Sequence, residues 1–141
     1  MKRILTVLVI SLFMFSCSEE EKKLELKDSN VLAFPLESGW ELNATASVNG
    51  FEQIQENDTT YKAKISYYIN LVTPAGDTLP EIDYGIINEE DDEEILIANV
   101  EVQVELDSTF STGTYKMLFY INDDLSGRTA TAEKSFDITP D

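Results

Sequence analysis

The sequence predicts an all-β protein, built as an antiparallel β-sandwich of seven or eight strands. Three observations carry this. Apolar residues recur at alternate positions along several stretches, the period of a half-buried strand. Turn-forming residues interrupt those stretches at short intervals. From Val31 onward no stretch spaces its apolar residues by three and four between capping residues, so no helix is expected.

The N-terminal segment stands apart from this pattern. Lys2 and Arg3 precede an apolar run of 12 residues, Ile4 to Phe15, in which only Thr6 and Ser11 are polar. A membrane-spanning helix needs roughly 20 residues. Two positive charges before a short apolar run is the layout of a secretory signal peptide, placed at residues 1–16. The run ends Met14-Phe15-Ser16-Cys17, and Cys17 is the only cysteine. Ser16-Cys17 resembles the lipobox of bacterial lipoproteins, although Met14 and Phe15 differ from its commonest residues. The resemblance implies cleavage before Cys17, acylation of its thiol and amino group, and a membrane partner reached through that lipid. Several acyl chains anchor stably, since each buried CH₂ contributes roughly 0.8 kcal/mol. Ser18-Glu19-Glu20-Glu21 resembles the acidic export signal that Bacteroidota lipoproteins carry beside the acylated Cys. It implies delivery to the outer face of the outer membrane. Residues 17–30, with Leu24 and Leu26 as the only apolar side chains after Cys17, read as a flexible acidic tether. The folded domain is expected over residues 31–141.

Strands are expected near 31–35, 40–48, 51–55, 60–72, 82–88, 95–106, 114–122 and 128–138. The clearest is 60–72. Tyr61, Ala63, Ile65, Tyr67, Ile69 and Leu71 share one face, and Lys62, Lys64, Ser66 and Asn70 the other. Val100, Val102, Val104 and Leu106 alternate with Glu101, Gln103 and Glu105; Tyr115, Met117, Phe119 and Ile121 repeat the period. In the last stretch Ala130, Ala132, Phe136 and Ile138 share one parity. Lys134 interrupts it, which predicts a bulge or a change of sheet. Asn49-Gly50, Glu56-Asn57-Asp58, Pro74 to Asp77, Glu89 to Glu94, Ser111 to Gly113 and Asp123 to Gly127 supply the turns.

The C-terminal third sharpens the expectation. Gly113-Thr114-Tyr115 opens a strand, Asp123 to Gly127 forms an Asp-rich turn with Ser-Gly, and Phe136-Asp137-Ile138 ends the last strand. This resembles the final strand pair of bacterial immunoglobulin-like and fibronectin-type-III-like domains. It implies an immunoglobulin-like sandwich, without the paired cysteines of antibody domains and with Trp40 as a candidate core tryptophan.

Composition removes several functions. The chain holds 27 acidic and 10 basic residues, a formal charge of −17, and no histidine. Such a chain repels nucleic acid, whose binding depends on Lys and Arg. Without histidine, and with its one thiol lipidated, it lacks the usual activated nucleophile and the usual N/S zinc ligands. No enzyme and no cofactor are expected. Carboxylates suit calcium, and Asp91, Asp92, Asp123 and Asp124 are the candidate ligands. Their simpler readings are a solvated acidic loop and a hairpin turn.

The aromatic residues point further. Tyr68 has the opposite parity to the apolar set of its strand, and Leu118 and Tyr120 the opposite parity to Met117, Phe119 and Ile121. Either these strands are covered on both sides, or one sheet exposes a patch of Tyr68, Leu118 and Tyr120 for a protein or glycan partner. Asp58-Thr59-Thr60, Asp77-Thr78-Leu79 and Asp107-Ser108-Thr109 resemble Bacteroidota O-glycosylation sites. The expected function is a lipid-anchored accessory protein that holds a partner protein or glycan at the outer membrane. The alternatives are a carbohydrate-active lipoprotein, by glycan capture or weak hydrolysis, and a periplasm-facing assembly factor.

Overall fold

The computed structural model of the chain describes residues 22–140. Eight strands follow one another, with no helix among the described residues: β1 (Glu25–Leu36), β2 (Gly39–Asn49), β3 (Ile54–Glu56), β4 (Thr60–Val72), β5 (Thr78–Asp91), β6 (Ala98–Leu106), β7 (Gly113–Asp123) and β8 (Thr129–Ile138). All pairings are antiparallel. One sheet has the order β1-β2-β6. In the other, β4 pairs with β7 and β7 with β8, while β5 and the short β3 also pair with β4. One of the two sheets curls into a half-barrel.

The alternation read from the sequence places the core between the sheets. Leu42, Ala44, Ala46 and Val48 of β2 and Val100 and Val102 of β6 are buried. So are Ile65, Ile69 and Leu71 of β4 and Tyr115, Met117, Phe119 and Ile121 of β7, all in one apolar cluster. At the start of β7, the buried Tyr115 hydroxyl donates to the Ser111 carbonyl at 2.6 Å.

Several boundaries differ from the sequence expectation, each for a local reason. β1 begins at Glu25, within the stretch read as tether, and Leu24 is buried. A bulge lies between Lys27 and Asn30, with Asp28 at φ 52°. The bulge shifts the parity, so Leu24 and Leu26 reach the core ahead of it and Val31 and Ala33 after it. β5 runs on through Glu89, Glu90 and Asp91, residues expected as a loop. Lys62 on β4 pairs with Glu56 at 2.5 Å and Glu90 at 3.6 Å, which offsets that charge. Lys134 causes neither a bulge nor a change of sheet. The β7–β8 register is continuous, and Lys134 stays exposed opposite Met117. β8 is an edge strand in hydrogen-bonding terms, where the aliphatic stem of a lysine lies along the sheet while its ammonium reaches water. Trp40 is half-buried against the core at the start of β2, opposite Leu106.

The start of β1 is clasped to the β7–β8 turn. Arg128 donates to the carbonyl of Lys22, to the carbonyl of Gly50 at 2.9 Å, and lies 3.4 Å from the Asp123 carboxylate. Gly50, at φ 73°, makes room for this; a Cβ there would collide with the Lys23 carbonyl. Gly50→Ala therefore combines the backbone cost of a left-handed residue, about 1–2 kcal/mol, with a clash against main chain. Gly76, at φ 90° with open space around it, isolates the first effect. In urea melts Gly50→Ala is expected to lose clearly more stability than Gly76→Ala. Equal losses would mean that the close approach does not matter.

Candidate functional site: the outer face of the larger sheet

The register of the larger sheet decides which residues share its outer face. Tyr84 on β5 stands opposite Tyr68 on β4, Tyr68 opposite Tyr120 on β7, and Tyr120 opposite Thr131 on β8. One row of the sheet thus carries three tyrosines in succession. In the next row Ile86, Ser66, Asn122 and Thr129 are aligned in the same way. Tyr84 is 73% exposed, Ile86 58% and Tyr68 40%. Of the three residues expected as a patch, Tyr68 and Tyr120 come together, their rings stacked at 4.5 Å between centroids and 8° between planes. Leu118 lies on the same face one row away, half-buried, opposite Asn70 and Glu133. Tyr84 and Tyr68 are exposed on this face, and Tyr120 is half-buried.

The sequence reading missed Tyr84 and Ile86. Their signal was the two-residue spacing of Tyr84 and Ile86, masked by the adjacent Ile87 and by Gly85. On the inner side of that strand Gly85 faces Tyr67, and a Cβ at 85 would lie 2.8 Å from the Tyr67 hydroxyl oxygen. The Tyr67 ring occupies the space a side chain would fill. Burial, with the charge of Asp83 added, raises the Tyr67 phenol above the ordinary tyrosine value.

Across β4, β7 and β8 the face sinks into a groove of about 250 Å³. Ser66, Tyr68, Tyr120, Asn122, Thr129 and Thr131 line it from the outer face, together with Tyr67, Ile121 and Ala130. None of these carries a charge. Its acidic neighbour Asp124 is engaged: Asn122 donates to it at 2.6 Å, Ser66 also donates to it, and Lys64 lies 4.0 Å away.

The four aspartates considered for calcium are not gathered into one site. Asp91 ends β5 and accepts the Glu93 N–H, which draws its carboxyl below the ordinary range; Asp92 follows it. Asp123 is fully buried. Its oxygens accept the N–H of Glu52 at 2.7 Å, the Ser126 hydroxyl at 2.6 Å and the N–H of Leu125 at 3.1 Å. That makes it a turn-fixing residue, committed to protein donors. Among the described residues no group of three or more His, Cys, Asp or Glu is placed to hold a metal. Cys17, Ser18, Glu19, Glu20 and Glu21 lie outside the described residues.

No protein-family profile matches the chain, and no curated protein matches it. Among solved structures it is similar to a family 123 glycoside hydrolase from Clostridium perfringens, studied for glycolipid glycan hydrolysis. The identity is 14% and the TM-score 0.49, over 72% of this chain and 21% of the hydrolase. The chain thus spans about a fifth of that enzyme's length. It is also similar to a protein from Archaeoglobus fulgidus, at 12% identity and TM-score 0.39, over 83% of this chain and 98% of the other.

Proposed function

We propose that the protein is a lipid-anchored binding module of the bacterial cell envelope, which offers the outer face of its larger sheet to a partner molecule. The observation that carries this is the row Tyr84–Tyr68–Tyr120, in which Tyr84 and Tyr68 are exposed, with the exposed Ile86 beside it. An aromatic patch of this kind on an otherwise acidic surface marks a place of contact. The N-terminal apolar run and Cys17 support acylation, and Glu19 to Glu21 support delivery to the outer surface of the outer membrane. The immunoglobulin-like reading of the fold has two supports. β1, β2 and β6 take the places of strands A, B and E, and β4, β7 and β8 those of C, F and G, with β5 paired to β4. The Tyr115–Ser111 bond at the start of β7 has the form of a tyrosine corner.

The anchor and the face are tested separately. Cys17→Ala is expected to abolish incorporation of a labelled fatty acid; a labelled mutant would remove the lipoprotein assignment. For the face, a photo-crosslinking residue at Ile86 is compared in intact cells with one at Thr45, exposed on the outer face of the smaller sheet. Adducts are expected at 86 and not at 45. The reverse pattern, or none at either position, would overturn the assignment of the binding face.

A further inference from the structure

We infer that the groove beside Tyr120 is a slot for one uncharged pyranose ring of a glycan. This rests on the reading of the outer face as a binding surface, and it names the ligand. The stacking geometry sets up the slot. Neighbouring strands lie about 4.7–4.9 Å apart, and the Tyr68 and Tyr120 rings are 4.5 Å apart and nearly parallel. The pair therefore stacks along the line from strand to strand. One face of Tyr120 is covered by Tyr68, and the other turns toward β8. The residue in register there is Thr131, too short to cover a phenol ring. The groove includes this space and continues over β7 to Ser66 and Tyr68 of β4. A flat ligand entering it would add a third layer to the stack.

The lining selects the chemistry of that layer. The wall is an aromatic face, while the rim is the hydroxyls of Thr129 and Thr131 and the amide of Asn122. One amide hydrogen of Asn122 is held by Asp124 at 2.6 Å, which orients its carbonyl oxygen and second N–H. A pyranose ring matches both parts, with C–H bonds on one face and hydroxyl groups around its edge. A purely apolar side chain would bury the threonine hydroxyls and the amide without partners, which is costly. An anionic ligand, whether a nucleotide or a uronic acid, meets a chain of net charge −17 with no basic group lining the groove. The volume, about 250 Å³, is just below the roughly 300–1,000 Å³ of pockets that enclose whole small molecules. It fits one ring of a longer chain and leaves the rest in solvent.

The test uses the full-length acylated protein in detergent micelles. Cellohexaose, xylohexaose and mannohexaose serve as uncharged probes, and hexagalacturonate as the acidic one. At least one uncharged hexasaccharide is expected to bind, and hexagalacturonate is not. Tyr120→Ala is expected to weaken binding by up to about tenfold, the scale of one lost aromatic stacking contact. Thr131→Trp fills the slot from an exposed position and is expected to do the same with an unchanged melting temperature. Three results would each overturn the inference: no uncharged hexasaccharide binds, hexagalacturonate binds as well, or Thr131→Trp binds like the parent. If that happens while the Ile86 crosslink yields a protease-sensitive adduct, the face binds a protein and only the sugar assignment is lost. If no crosslink forms, the binding face itself is lost.

Discussion

Phe119→Ala is expected to destabilise the protein by about 3–5 kcal/mol, the range for truncating a buried phenylalanine. Phe119 is fully buried in the middle of β7, between Ile69 of β4 and Ala132 of β8. Ala132 is too small to move into the vacated volume, and β4 and β7 are held by a continuous ladder, so the site cannot collapse around the cavity. The expected result in a urea melt is a large fall in midpoint with an unchanged slope, since the surface exposed on unfolding barely changes. A loss below about 1 kcal/mol would show that Phe119 does not face the core.

Asp123→Asn is expected to cost on the order of 3 kcal/mol, near the lower end for breaking a buried pair. The substitution keeps the volume but turns one acceptor oxygen into a donor. In the parent one oxygen takes the Glu52 N–H and the Ser126 hydroxyl, and the other takes the Leu125 N–H. An amide cannot satisfy both sets. Burial pushes the Asp123 carboxyl up. The hydrogen bonds from Ser126, Glu52 and Leu125 outweigh it together and hold the carboxyl below the ordinary aspartate value. The consequence for pH has a definite sign. The stabilisation is fully present above the unfolded-state value of about 3.9, and it is lost as pH falls through the lower folded-state value. Urea midpoints of the parent should therefore drop more steeply with acid than those of Asp123→Asn. Parallel acid limbs would mean that this carboxylate is not the group being titrated.

How much of this was legible in the sequence can be stated strand by strand. Regular alternation located β4, β6 and β7, because each has an inner face in the core and an outer face turned away from it. β1 was shortened because its bulge at Asp28 shifts the period among charged residues, so Leu24 and Leu26 looked isolated. β5 was shortened because an acidic run reads as a loop until the lysine opposite, Lys62, is known, and pairing partners are not visible along one chain. The site was half legible for the same reason. Parity put Tyr68 and Tyr120 on the second face of their strands. Their stacking, and the arrival of Tyr84 and Thr131 in the same row, depend on register, which turns and core packing set over long sequence distances. Asp123 shows the reverse case. An aspartate in an Asp-rich turn looks like a solvated ligand, and only the approach of Glu52 from another strand connection makes it a buried fixing point.

The Arg128 clasp has a mechanical meaning. Under the proposed anchoring through Cys17, every tug on the far side of the domain would act as a pull on Lys22. Without the clasp, that pull would act on β1 alone and peel it from β2 pair by pair, beginning at Glu25 and Asn49. Arg128 grips the Lys22 and Gly50 carbonyls from the β7–β8 turn, and Asp123 locks that turn to Glu52. The pull is therefore divided between both sheets before the first β1–β2 hydrogen bond is stretched. The joint works as a rivet at the point where load enters the fold.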